Sequence, residues 1–130
     1  MGEAENLAVV AEHMAGEATD PASIMKLYTD DVLFEVPSRG IALRDVVAIE
    51  ANYRRMFASI AGLTVWPLSR VASGDVVADV CLARFQLIGD GFEGAGVPIG
   101  AQVELLLRHT FVLRDGRIAR ETVQEDWRLE

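Results

Sequence analysis

The stretch Val103–Trp127, VELLLRHTFVLRDGRIARETVQEDW, decides the reading of this chain. Two strand-like runs flank Asp115-Gly116. Asp-Gly between alternating apolar residues is among the strongest short hairpin signals, because a type I′ turn needs positive φ at both central residues. The turn fixes a register. With Arg114 opposite Arg117, Leu113 pairs with Ile118, Phe111 with Arg120 and His109 with Thr122. One face then carries Leu105, Leu107, His109, Phe111 and Leu113 on the first strand, and Ile118, Arg120, Thr122, Gln124 and Asp126 on the second. An apolar face that turns to His, Arg, Thr, Gln and Asp is either a solvated edge or the wall of a polar-bottomed pocket.

Around this hairpin the chain has 130 residues, which suits one domain spanning 1–130 with a real core. Hydrophobic residues make up 51%, far too many for a disordered chain. The net charge is −8, from 20 acidic and 12 basic residues. Nucleic acids and anionic membranes demand a basic surface, so neither is expected as a partner. The single cysteine, Cys81, allows no intrachain disulfide and reads as a small buried filler. No apolar run approaches the roughly 20 residues of a membrane helix, and the N-terminus lacks the pattern of a signal peptide. A cytoplasmic location is the expectation. Two histidines distant in sequence and one cysteine make no metal-ligand cluster, and the glycine-rich segment lacks phosphate-loop spacing, so no metal or cofactor is expected.

The segments before the hairpin divide into helices and then strands. Glu3 to Ala18 reads as one helix. Asp20 as N-cap and Pro21 at the first helical position start a second, short helix that ends near Tyr28. Val32 to Val36 reads as a short strand closed by Pro37. A third helix is expected from about Leu43 to Ile60, on the stripe Val46, Ile49, Tyr53, Met56, Phe57 and Ile60. Strands Leu63–Ala72 and Val76–Ile88 follow, joined at Ser73-Gly74-Asp75. Gly89–Gly100, with its glycines and Pro98, reads as a loop or bulged edge. Helices first and a meander of long strands afterwards give an α+β fold, a cone-shaped, four-stranded curved antiparallel sheet packed against three N-terminal helices.

Three pieces in this order carry a resemblance. They are Leu27-Tyr28-Thr29-Asp30-Asp31-Val32 with Pro37, then Gly91-Phe92-Glu93-Gly94 with Pro98 and Gly100, then His109, Asp115-Gly116-Arg117-Ile118 and Asp126. Together they resemble the nuclear-transport-factor-2-like superfamily, and within it the SnoaL-like polyketide cyclases. The resemblance implies an α+β cone with a pocket at its core, and a homodimer formed through the outer sheet face. It implies less about activity, because this fold hosts isomerases, dehydratases, epoxide hydrolases, cyclases and non-enzymes. Relatives that work like ketosteroid isomerase keep an aspartate just before the first strand's proline, where this chain has Val36. The acid that cyclases and limonene epoxide hydrolase carry midway along the last strand falls near Val123. That acid is either missing or moved to Glu121, Glu125 or Asp126. His109 stands where cyclases commonly carry a histidine.

Two readings of the site follow. In the first, the chain is a SnoaL-like enzyme acting by cofactor-independent general acid/base chemistry on a hydrophobic carbonyl compound. His109 moves the proton and Asp126 assists. By its Cα the latter lies more than about 10 Å from His109 along the expected hairpin face, so the two would flank a substrate rather than touch. Arg120, Thr122 and Gln124 line the same wall, and Tyr28, Phe34, Tyr53, Met56, Phe57 and Trp66 supply the apolar lining. In the second, His109 is a core residue satisfied across the hairpin, and the protein is a non-catalytic dimeric module for an apolar ligand or a protein partner. Of the remaining polar groups, Glu35 should face away from Phe34 and Val36. Either Asp79 or Arg84, which stand on opposite faces of their strand, should point inward. His13 is expected on the surface.

Overall fold

The computed structural model describes residues 2–130. Helices α1 (Glu3–Gly16) and α2 (Pro21–Ile24) come first, and α3 (Val46–Ala58) follows strands β1 (Tyr28–Val36) and β2 (Ile41–Leu43). The long strands are β3 (Ile60–Ser73), β4 (Val76–Leu87), β5 (Gln102–Arg114) and β6 (Arg117–Leu129). They form one curved sheet in the order β2-β1-β6-β5-β4-β3. The architecture is α+β. The sheet, however, has six strands rather than four, and it is mixed rather than antiparallel, because β1 runs parallel to β6. β1 begins at Tyr28, four residues earlier than its apolar run suggests. Asp30 and Asp31 face solvent while Tyr28 and Val32 are buried. The acidic pair conceals a strand, and its added length reaches β6.

Local chemistry accounts for the boundaries. The Asp45 carboxylate accepts from the Val47 amide at 2.7 Å, so α3 starts at Val46 and leaves Leu43 to β2. Pro21 occupies the first turn of α2, and the Asp20 carbonyl, not its side chain, accepts from the amide and hydroxyl of Ser23. At the end of α1, a Cβ on Gly16 would stand 2.4 Å from Ile24 Cγ2, so only glycine lets α1 meet α2 this closely. The segment between β4 and β5 folds back on α3. The Gly91 amide donates to Ser59 Oγ at 2.8 Å, and a Cβ there would lie 2.1 Å from the Arg55 carbonyl oxygen.

The closing hairpin holds the largest departure from expectation. Arg114 pairs with Arg117 and Leu113 with Ile118, as the Asp-Gly turn dictates. Asp115 and Gly116 both have positive φ (53° and 78°). Val112 then pairs with Arg120, so Ala119 is an extra residue and β6 bulges there. Beyond the bulge every side chain swaps faces. Phe111 lies opposite Glu121, His109 opposite Val123 and Leu105 opposite Trp127.

The core occupies the space between the curved sheet and the helices. α1 packs on β3 and β4, and α3 on β1. One buried cluster centres on Val10, Ile24, Tyr28, Phe34, Ile49 and Phe111. A second, around Phe85, Phe92, Val103 and Leu105, lies under the glycine-rich segment. No helix among the described residues is long and apolar enough to cross a membrane.

Candidate functional site

Between the two clusters lies a cavity of about 170 Å³. Its wall is mostly apolar, with Phe34, Met56, Phe57, Leu63, Phe85 and Leu105 contributing. Polar or ionisable side chains that interrupt it include Glu17, Arg39, Tyr53, His109 and Glu125. They come from the end of α1, the turn after β1, α3, β5 and β6. The curved sheet and the bulge bring them together.

The Ala119 bulge decides which residues of β6 reach this space. Arg120, Thr122, Gln124 and Asp126, expected on the wall with His109, face the opposite way. On that outer face Arg120 donates to Glu35 Oε1 through Nε (2.9 Å) and Nη2 (2.5 Å), and the Thr122 hydroxyl donates to the same oxygen (2.9 Å). Gln124 and Asp126 are exposed. Glu35 thus faces away from Phe34 and Val36, as strand alternation requires. Glu121, Val123 and Glu125 turn inward instead. The other expected lining residues divide. Phe34, Tyr53, Met56 and Phe57 line the cavity. Trp66 is 42% exposed on β3, because its strand neighbours Leu63 and Val65 hold the inner face. Tyr28 is buried in the core, and its hydroxyl belongs to a polar network.

That network is centred on Glu121, whose side chain is wholly buried. The Tyr28 hydroxyl donates to its Oε1 at 2.6 Å and the Tyr53 hydroxyl to its Oε2 at 2.7 Å. His13 Nε2 lies 2.8 Å from the Tyr28 oxygen and 3.4 Å from Glu121 Oε1. His13, expected at the surface, is fully buried; with Asn6 and Val10 it forms the inward stripe of α1. Burial works against a charge on either partner. The attraction of His13 and the hydrogen bonds from His13 and Tyr28 outweigh it at Glu121, whose carboxyl is held below the usual range. Burial likewise opposes protonation of His13, but Glu121, Glu17 and Asp79 together raise its pKa. A buried imidazolium–carboxylate pair with two tyrosine donors offsets both charges, and His13 Nδ1 stays buried without a hydrogen-bond partner.

His109 stands apart from this pair. It is buried, stacks on Phe111 at 5.7 Å between ring centres, and lines the cavity. Its Nδ1 is buried without a partner, which leaves Nε2 as the nitrogen available to the cavity. Burial, the largest influence, lowers its pKa, so it is neutral near pH 7. Its cross-strand neighbour Asp79 points inward, held by Arg70 Nε at 2.7 Å. Glu125 is gripped in two-point fashion by Arg39 (Nε–Oε1 3.0 Å, Nη2–Oε2 3.2 Å) and accepts from Trp127 Nε1 at 3.2 Å. Arg39 also donates to the Glu93 carbonyl and lies over the Phe92 ring, so this pair pins the glycine-rich segment at the cavity's edge. Arg39 carried no signal in sequence, since nothing local predicts a partner 86 residues away.

Two groups of ligand-type side chains also converge: Asp79, Cys81 and His109, and His13, Glu17 and Glu121, each with donor atoms within 4.8 Å of one another. Distance in sequence conceals this convergence, which differs from the expectation that no such cluster exists. Arg70 balances the charge in the first and His13 in the second. Burial, with the Asp79 charge, pushes the Cys81 thiol up to about 12, which leaves it a poor nucleophile.

The sequence profile of the SnoaL-like domain family matches residues 8–121. No curated protein matches the chain in sequence. Among solved structures, one assigned as a SnoaL-like polyketide cyclase from Jannaschia sp. CCS1 superposes with a TM-score of 0.80 at 19% identity, covering 95% of this chain and 87% of that one. An NTF2-like protein from Burkholderia thailandensis gives 0.76 at 20% identity, covering 93% and 90%. An epoxide hydrolase from M. tuberculosis, of the LEH-like type, gives 0.69 at 20% identity, covering 95% and 84%. At these identities the superpositions establish a shared fold.

Proposed function

We propose that this chain, which belongs to the SnoaL-like domain family, is a small-molecule enzyme that applies cofactor-independent acid/base chemistry to a hydrophobic carbonyl compound. The observation that carries this reading is His109, a neutral imidazole without a protein partner on the wall of an otherwise apolar cavity. A merely structural histidine in such a core would be hydrogen-bonded at the Nδ1 it buries. A cavity of about 150 Å³ accommodates benzene, so the space of about 170 Å³ suits a compound of one or two rings. His109 is the proton-transfer group, and Phe34, Met56 and Phe57 hold the rings. Asp126 has no part in this reading, since its side chain belongs to the outer face.

The working form in this proposal is a homodimer through the outer sheet face. Trp66, Leu68 and Val71 are 42%, 57% and 62% exposed on β3, an edge strand that a partner would cover. Light scattering at micromolar concentration should return twice the chain mass, and a monomer would refute it.

The catalytic reading is tested with a panel of one- and two-ring aryl ketones in D2O, following α-proton exchange by NMR. Wild type should accelerate exchange. His109→Ala should abolish the acceleration while its unfolding midpoint stays close to that of wild type. If His109→Ala retains the activity, or if it unfolds the protein, the histidine is structural and a non-catalytic binding module is the better account.

A further inference from the structure

We infer that Glu17 is the proton donor of this site, so that an enolisable one- or two-ring ketone is held between two groups, the Glu17 carboxyl at its oxygen and the His109 imidazole at its α-carbon. The inference rests on the catalytic reading above and names its second residue and its substrate class.

Glu17 directly follows the last residue of α1, and its side chain turns inward to become part of the cavity wall. Its Oε2 is buried without a hydrogen-bond partner, and the side chain is only 12% exposed. The nearest charged group is His13, whose Nδ1 lies 3.6 Å away. Among the described residues, the other carboxyl and the phenol of the wall are already engaged. Glu125 is bound by Arg39 and Trp127, and the Tyr53 hydroxyl by Glu121. Of these three, only Glu17 makes no hydrogen bond within the protein.

The surroundings also set its protonation. The titratable groups that face it are His13 from α1, Tyr28 from β1, Tyr53 from α3, Asp79 and Cys81 from β4 and Glu121 from β6. One imidazolium serves this region, and Glu121 neutralises it. The Asp79 charge is met by Arg70 from β3. A further buried anion at Glu17 would be uncompensated. Burial, the largest influence, therefore raises its pKa; His13 pulls it down, Glu121 and Asp79 push it up again, and the result is about 8. Near pH 7 the Glu17 carboxyl thus carries its proton while His109 lacks one. A neutral acid and a neutral base sharing one apolar cavity are what enolisation requires.

The step balances without a co-reactant. The α-C–H bond breaks and its proton passes to His109. The electron pair forms the C=C bond, and the carbonyl oxygen takes the proton of Glu17. The products are a neutral enol, an imidazolium and a carboxylate. Return of both protons restores the residues. Return at the same carbon, after the imidazolium proton has swapped with solvent, gives exchange, and return at a conjugated carbon gives an isomer.

Two measurements on the full chain decide the matter. Carbon-13 NMR of the glutamate carboxyls should show one group titrating near pH 8 that is absent in Glu17→Gln. A Glu17 that titrates in the ordinary range of about 4–5 overturns the inference. With 2-tetralone as probe, α-deuteration by wild type should fall above about pH 8. Glu17→Gln should be slower by about 10²–10⁴-fold, the usual contribution of a positioned acid, and should lose that alkaline fall. An unchanged rate in Glu17→Gln overturns the role of Glu17 and leaves His109 standing. Wild type no faster than buffer overturns the enolising reading and this inference with it.

Discussion

Replacing Glu121 by Gln should expose how much of the fold hangs on one buried charge. In the native protein the carboxylate accepts from Tyr28 at 2.6 Å and Tyr53 at 2.7 Å, and it neutralises His13 at 3.4 Å. The amide keeps the shape of the side chain but loses the charge. Its NH2 end meets a tyrosine hydroxyl that had been a donor, and His13 loses its counter-ion. Breaking a buried pair by removing one partner costs about 3–5 kcal/mol. The hydrogen bonds to the charged acceptor belong to the same sum and are not added to it. Set against a typical total of about 5–15 kcal/mol, such a loss removes a large part of the stability. Urea unfolding followed by tryptophan fluorescence should show the midpoint falling with the slope unchanged. The cost should also depend on pH. The folded pKa of His13 is raised, so its contribution is fully present below about 6.5 and is lost as pH rises through that raised value. The difference between wild type and Glu121→Gln should therefore shrink toward alkaline pH. A cost below about 1 kcal/mol, well under the range for a broken buried pair, would refute the ion-pair account; so would an equal cost across the pH range.

The neighbouring residues give three more expectations. The Glu17 carboxyl has a raised folded pKa, so the native state holds a proton that the unfolded chain releases. Wild-type stability should then decline as pH rises from about 4.5 to about 8, by on the order of 5 kcal/mol in total, and Glu17→Gln should flatten that decline in thermal melts. Arg39→Met should cost about 3–5 kcal/mol because it strands the buried Glu125, and adding Glu125→Leu should restore much of the loss in a double-mutant cycle. Gly91→Ala should destabilise by about 2 kcal/mol or more, since its Cβ would meet the Arg55 carbonyl at 2.1 Å, and calorimetry should record the lower melting temperature.

Much of this architecture is legible in the residues. The Asp115-Gly116 turn, the strand pair around Gly74-Asp75 and the α+β order all stand where local rules put them. The site went astray at a single residue. From Arg120 to Arg128 the even positions are all polar, whereas Val123 and Trp127 hold the odd ones; yet Ile118 is buried on an even position. The inward parity changes between Ile118 and Val123, and only an extra residue can change it. The Ala119 bulge is that residue, and it exchanges Arg120, Thr122, Gln124 and Asp126 for Glu121, Val123 and Glu125. His13 had a fainter signal. It lies at helical spacing from Asn6 and Val10, a stripe whose polar ends look like solvent-facing residues until a buried carboxylate stands opposite. Nothing local in the chain connects Arg39 to Glu125 or brings Glu17 and His109 to one cavity, because those arrangements exist only once the sheet has curved over the helices.

The proposal stands or falls on His109 as a neutral base open to the cavity. A nitrogen-15 NMR titration of its ring, with and without 2-tetralone, tests this most directly. The account predicts a pKa below 6.5, a single neutral tautomer at pH 7 with its proton on Nδ1, and a shift of the Nε2 resonance when the ketone is added. A ring that titrates at or above 6.5, or whose resonances ignore the ketone while it binds elsewhere, would contradict it.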